Sequence, residues 1–337
     1  MMFLRSSQQP ARLSLTLFFG GLILVSSGLA SGQSNSAVDN KAVEKSIEKG
    51  IAYLAEATPK WQVEHRCASC HHQGSAVRAL LAARAKGLLR RDEVLTTSFD
   101  WLARPEKWGE NHGDPQASDQ ALAELQFGGS LLAAQKQFPD RFGKSLLQLA
   151  KQLEKQQGLS GEFKLTNSDG LGLPITLGSV LLTGMARDVF ETQGETYREK
   201  ANLANHWLRN FRPRNTLEAA SLLITLKQGE DQKPMRATAR RIVFESAHKG
   251  GGFGPYANSP PEVFDTALAV IALMRDEASP KKRELSEKGI KQLMEWQLED
   301  GSWEETTRPS GGISYAHRVS TTSWAIEALL ESAPKKE

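Results

Sequence analysis

From Val43 onward apolar residues recur at steps of three and four, Ala and Leu are abundant, and no run alternates strictly between polar and apolar as a strand would. This pattern predicts an all-α chain. The periodic stretches are separated by short breaks rich in Gly, Pro and Asn, such as KWGENHGDPQ, GLSGEFKLTNSDGLGLP, GGGFGPYANSPP and EDGSWEETTRPSGG. Taken two at a time they give six helical hairpins: 42–57 with 74–87, 93–104 with 118–136, 143–157 with 174–190, 197–210 with 216–228, 235–249 with 262–275, and 286–299 with 319–332. The two members of a pair differ in pattern. First helices such as KSLLQLAKQLEKQQ and EKGIKQLMEWQLED carry one charged face and one apolar stripe. Second helices, seen best in SDQALAELQ, FDTALAVIA and TSWAIEALL, are small and apolar nearly all round, as a helix buried on every side must be.

Inner helices buried on all sides and outer helices wet on one side are what concentric rings produce. An open solenoid needs terminal units with a polar outer face, yet the last inner helix, STTSWAIEALL, is as apolar as the middle ones. Closure against the first hairpin would bury it. The expected fold is therefore an α6/α6 toroid of six helical hairpins, one domain over residues 42–332.

The stretches GGGFGPYANSPPEVFDTALAVIALM and EWQLEDGSWEETTRPSGGISYAHRVSTTSWAIEALL resemble the repeats of the squalene-hopene cyclase and protein prenyltransferase β-subunit superfamily, which read Q-x-x-D-G-S-W or G-G-F before an inner helix. SGEFKLTNSDGLGLPITLGSVLL matches more weakly, and the segment from Asn210 to Leu226 has lost the glycines. The resemblance implies the toroid. It does not carry the chemistry across: a cyclase of that superfamily has an acidic D-x-D-D cluster, which is absent here. A prenyltransferase has an Asp, Cys and His zinc site on late repeats, whereas both cysteines here lie in the first.

The first residues change the picture of where the protein works. Arg5 and Arg12 precede an apolar run, Leu13 to Val25, followed by the small residues SSGLASGQ, the layout of a secretory signal peptide over residues 1–30 cleaved after Ala30 or Gly32. Residues 31–41 read as a flexible leader and 333–337 as a disordered tail. An exported, periplasmic or secreted protein is expected, with no membrane span after cleavage. Loss of the two arginines lowers the formal charge from +3 to +1, and no basic stripe suggests nucleic-acid binding.

The candidate chemistry sits in CASCHHQG. Cys67, Cys70 and His71 form Cys-x-x-Cys-His, the c-type haem attachment motif: the thiols add to the haem vinyl groups and the adjoining imidazole takes an axial position on iron. Export suits that chemistry. Two alternatives stand beside it: a disulfide in an oxidising compartment, and a zinc site from Cys67, Cys70 and one or two of His65, His71 and His72. In a closed ring the neighbouring outer-to-inner loops carry His112 and His317, the axial candidates opposite His71. Asp119 and Asp265 occupy the same repeat position, at the first turn of an inner helix. They are weak candidates for acid-base work at a cavity mouth, with helix N-terminal stabilisation as the plainer role. Trp108, Phe163, Phe253 and Trp303 read as packing wedges between hairpins. These features leave three function classes: a haem c protein serving electron transfer or redox sensing with a redox partner, a toroid-cavity enzyme, and a binding module for an apolar or glycan ligand.

Overall fold

A computed structural model describes residues 38–65, 73–108, 120–164, 171–229, 232–277, 279–307 and 315–333. They form twelve α-helices: α1 (Asn40–His65), α2 (Gln73–Ala85), α3 (Glu93–Leu102), α4 (Gln120–Gln137), α5 (Gly143–Gln156), α6 (Ser179–Thr192), α7 (Arg198–Asn210), α8 (Thr216–Thr225), α9 (Lys233–Glu245), α10 (Val263–Arg275), α11 (Pro280–Glu295) and α12 (Tyr315–Ser332). Among the described residues no strand occurs beyond one isolated bridge, Ala247 to Phe253. None of the described helices is long and apolar enough to cross a membrane.

The even-numbered helices form the inner ring, each packing on the next from α2 to α12, and α12 packs back on α2. The expected closure is thus observed. The all-apolar pattern has the expected consequence: in α10 every residue from Val263 to Leu273 is buried. The odd-numbered helices lie outside, and several lean on the inner helix of the preceding hairpin, as α7 does on α6, α9 on α8 and α1 on α12.

Helix boundaries depart from the periodicity where local chemistry takes over. Helix α11 starts at Pro280 rather than near 286, because Ser279 caps the Lys282 amide (3.4 Å) and Pro280 fits the first turn, where no backbone N–H is needed. Helix α8 starts where Asn215 accepts from the Glu218 amide (2.9 Å) while Glu218 accepts from the Arg214 amide (2.7 Å), a reciprocal cap. Helix α1 runs on through Pro59 to His65, and α12 begins at Tyr315, four residues before the periodic run.

Three of the turns between outer and inner helices share one construction. The Gly158, His248 and Leu298 amides donate to the carbonyls of Glu162, Gly252 and Ser302 at 2.8, 3.0 and 2.9 Å. The next residue in each, Phe163, Phe253 or Trp303, buries its ring, and its amide donates to a threonine of the following inner helix: Thr183 (2.9 Å), Thr266 (2.8 Å) and Thr322 (3.1 Å). These aromatics are the packing wedges expected from the sequence, and Trp108 is buried as well.

Two of these turns also dock on the next outer helix through a glutamine. Gln157 reaches the Lys200 carbonyl of α7 (2.9 Å), and Gln297 reaches the Ser46 carbonyl of α1 (2.9 Å). The ring therefore closes between its last turn and its first helix by the same contact that joins neighbours inside it.

Candidate functional site

Residues 66–72, with Cys67, Cys70, His71 and His72, lie outside the described residues, as do His112, Asp119 and the side chain of His65. The structure describes what borders them. The segment leaves the end of α1 at His65 and enters α2 at Gln73, on the inner-ring end where α12 also starts. That entry is fixed: Ser130 of α4 donates to the Gly74 carbonyl (2.5 Å), and a Cβ at Gly74 would stand 3.2 Å from the Gln126 backbone.

His317 lies in the first turn of α12, inside the helix rather than in the loop before it, and is half-buried. Because α12 packs on α2, it stands on the neighbour of the helix that the Cys/His segment enters. Burial lowers the His317 pKa below its ordinary 6.5, against an opposing pull from Glu305. The imidazole is therefore neutral at pH 7, the form whose nitrogen lone pair can bind a metal. Glu305 itself is held by Arg318 (2.9 Å), and burial with the nearby Asp300 charge pushes the Tyr53 phenol up to about 12. The end of the inner ring where α12 starts thus offers a neutral imidazole and a protonated phenol next to an ion pair.

Asp265 lies in the first turn of α10, fully buried. His206 lies on α7. His248 sits in the turn after α9 rather than on the helix, and its Nδ1 accepts from the Gly250 amide (3.3 Å).

A second site was not foreseen. Among the described residues all six inner helices line a cavity by their carboxyl termini, at the end away from the outer-to-inner loops, which lie partly outside the described residues. The cavity measures about 550 Å³, and Lys136, Asp188, Thr225, Arg275 and Glu327 are among its lining from five of those helices. On the wall, Arg78 of α2 donates from Nε to both oxygens of Glu327 on α12 (2.8 and 3.1 Å) and lies 4.2 Å over the Trp324 ring. Burial raises the Glu327 pKa above the usual carboxylate value, and Arg78 only partly offsets this. The available signal was a charge inside an apolar stretch: Arg78 in SAVRALLAA and Glu327 in TSWAIEALL.

No family model matches the sequence, and no curated protein does. Solved structures do resemble the fold. The type II terpene cyclase MstE from Scytonema aligns at 14% identity with a TM-score of 0.56, covering 88% of this chain and 100% of its own. A glycosyl hydrolase of family 88 from Bacteroides vulgatus aligns at 13% identity and 0.51, covering 84% and 98%. A possible member of the GH105 family from Salmonella enterica aligns at 11% identity and 0.55, covering 89% and 96%. At such identities the likeness shows the fold, and enzymes with different reactions share it. The α/α toroid implied by the repeats is borne out.

Proposed function

We propose that the chain is an exported toroid protein that carries haem c on Cys67, Cys70 and His71 and serves electron transfer or redox sensing. One observation carries the proposal: the whole cysteine complement is spent on Cys-x-x-Cys-His, behind a segment laid out as a signal peptide. The surroundings suit the group. The segment's exit is anchored by Ser130 and Gly74, and His317 on the neighbouring inner helix would be the second residue to hold the group beside His71. His72 cannot be that residue, since one peptide unit does not reach across a porphyrin. Bound iron would supply one-electron chemistry. The toroid would hold His71 and its partner in place, and the half-buried position of His317 would limit water there.

The test is colour that survives extraction. Exported alongside a cytochrome c maturation system, the chain should be red and keep its haem through acid-acetone treatment. A colourless protein with stoichiometric zinc, or one with no free thiol, would replace the proposal by the zinc or disulfide alternative.

A second reading rests on the carboxyl-end cavity. About 550 Å³ is within the usual size for a small-molecule pocket, roughly 300 to 1,000 Å³, so the toroid can also serve as a ligand-binding protein.

A further inference from the structure

Arg78 holds two hydrogen-bond donors that its protein partners do not use. Both oxygens of Glu327 accept from Nε, while Nη1 and Nη2 are buried and have no hydrogen-bond acceptor among the described residues. A guanidinium offers carboxylates a fork of paired N–H groups, and the edge between Nη1 and Nη2 is such a fork. The Trp324 ring beneath and the Glu327 carboxylate beside it fix the plane of the group, so the fork is oriented in advance. Buried donors without an acceptor are costly in a folded protein and call for an explanation.

The surroundings of that fork define what would fill it. A Cβ at Gly129 would stand 3.8 Å from Nη1 and 3.4 Å from Met185 Cε, so this wall is made of a residue without a side chain and a flexible thioether. Beyond it the cavity is lined by Leu132, Leu181, Ile224 and Ile271, an apolar interior. Its charged lining consists of Arg78, Lys136 and Arg275 against Asp188 and Glu327, one positive charge in excess. Arg275 is committed to Glu331 and Asp188 to Arg187 at 2.6 Å. A single negative charge on an apolar body complements this arrangement.

We propose that the carboxyl-end cavity binds an amphipathic monocarboxylate, its carboxylate on the Nη1/Nη2 edge of Arg78 and its chain among the aliphatic side chains of the inner ring. The inference rests on the cavity-binding reading and is independent of haem. Decanoate, decanol and the full mature chain provide the test, by isothermal titration calorimetry at neutral pH. Decanoate should bind one to one and at least tenfold more tightly than decanol. Arg78→Gln should bring decanoate down to the level of decanol. Because that change also strips Glu327 of its partner, Ala133→Trp serves as a second variant, filling the cavity from a half-buried wall position while leaving the pair intact. It should weaken decanoate at least tenfold without changing the far-UV dichroism. Equal binding of decanoate and decanol would keep the cavity reading and overturn the carboxylate. Absence of binding by either would overturn both, and unchanged affinity in either variant would show that the site lies elsewhere.

Discussion

Gly301, in the turn before α12, packs so closely on Lys49 of α1 that a Cβ there would overlap the Lys49 carbonyl oxygen. Gly161 stands in the same relation to Leu203 of α7, and both glycines have positive φ, +87° and +98°. The joint that closes the ring is thus a copy of one inside it. Positive φ costs an L-residue about 1 to 2 kcal/mol, and overlap with helix backbone adds to that, so Gly301→Ala and Gly161→Ala should each destabilise by about 3 kcal/mol or more. Gly194, at φ +60° with nothing within 4 Å, isolates the conformational part; its Ala variant should lose about 1 kcal/mol. Urea unfolding of the three variants checks this, and equal losses would remove the docking contribution.

The threonines that receive the wedge amides give a second prediction. Thr322→Val keeps the shape of the side chain but leaves the buried Trp303 amide without its acceptor. A loss of about 1 to 3 kcal/mol is expected, and the same for Thr183→Val and Thr266→Val. Unfolding midpoints within error of wild type would mean that the shared hydrogen bond contributes nothing.

At the carboxyl end of α10, Asp276 is fully buried and accepts from Arg236 and Arg240, each at 2.6 Å, with Lys282 at 3.8 Å. Burial pushes its pKa up, but the two guanidinium hydrogen bonds outweigh this and hold it below 3.8. A lowered acid pKa gives stability that is present above the unfolded value and lost as pH falls through the folded one. Asp276→Asn should therefore cost about 3 to 5 kcal/mol at pH 7, since Arg236 and Lys282 stay buried without their counter-charge. It should also flatten the loss of stability below about pH 4. Unfolding curves at pH 7 and through the acid range measure both.

His317 titrates in the opposite part of the scale. Burial lowers its pKa, so the stability it contributes is complete above 6.5 and is lost as pH falls below that value toward the folded one. His317→Gln should flatten the stability profile between pH 7 and 5 while leaving the alkaline side unchanged. An unaltered slope would show that the imidazole is not held in its neutral form. In the haem-loaded chain, His317→Ala should turn a low-spin spectrum high-spin. If it does not and His112→Ala does, the iron ligand comes from hairpin two.

The architecture was legible because each hairpin repeats one contrast, KSLLQLAKQLEKQQ against an all-apolar partner, and apolarity on every side leaves only the interior of a ring. The weakly matching turn SGEFKLTNSDGLGLP still builds the shared joint, since the fold needs only Gly161, the buried Phe163 ring and Thr183, not the full repeat motif. Helix ends were less legible: the Ser279–Pro280 start of α11 is set by a cap, and α12 opens with Tyr315 and His317, whose polarity hides the helical period. A toroid cavity was expected, but the ion pair in its wall was not legible because Arg78 and Glu327 are 249 positions apart and meet only when the ring closes. Single charges in apolar helices announce a buried group without naming its partner.

The most direct measurement of the central claim is the intact mass of the denatured chain, purified from the periplasm of cells with an active cytochrome c maturation system. Haem c on Cys67 and Cys70 predicts the mature mass plus one haem, abolished by Cys67→Ala with Cys70→Ala. An unmodified mass, or one lower by two hydrogens as a disulfide gives, would contradict it.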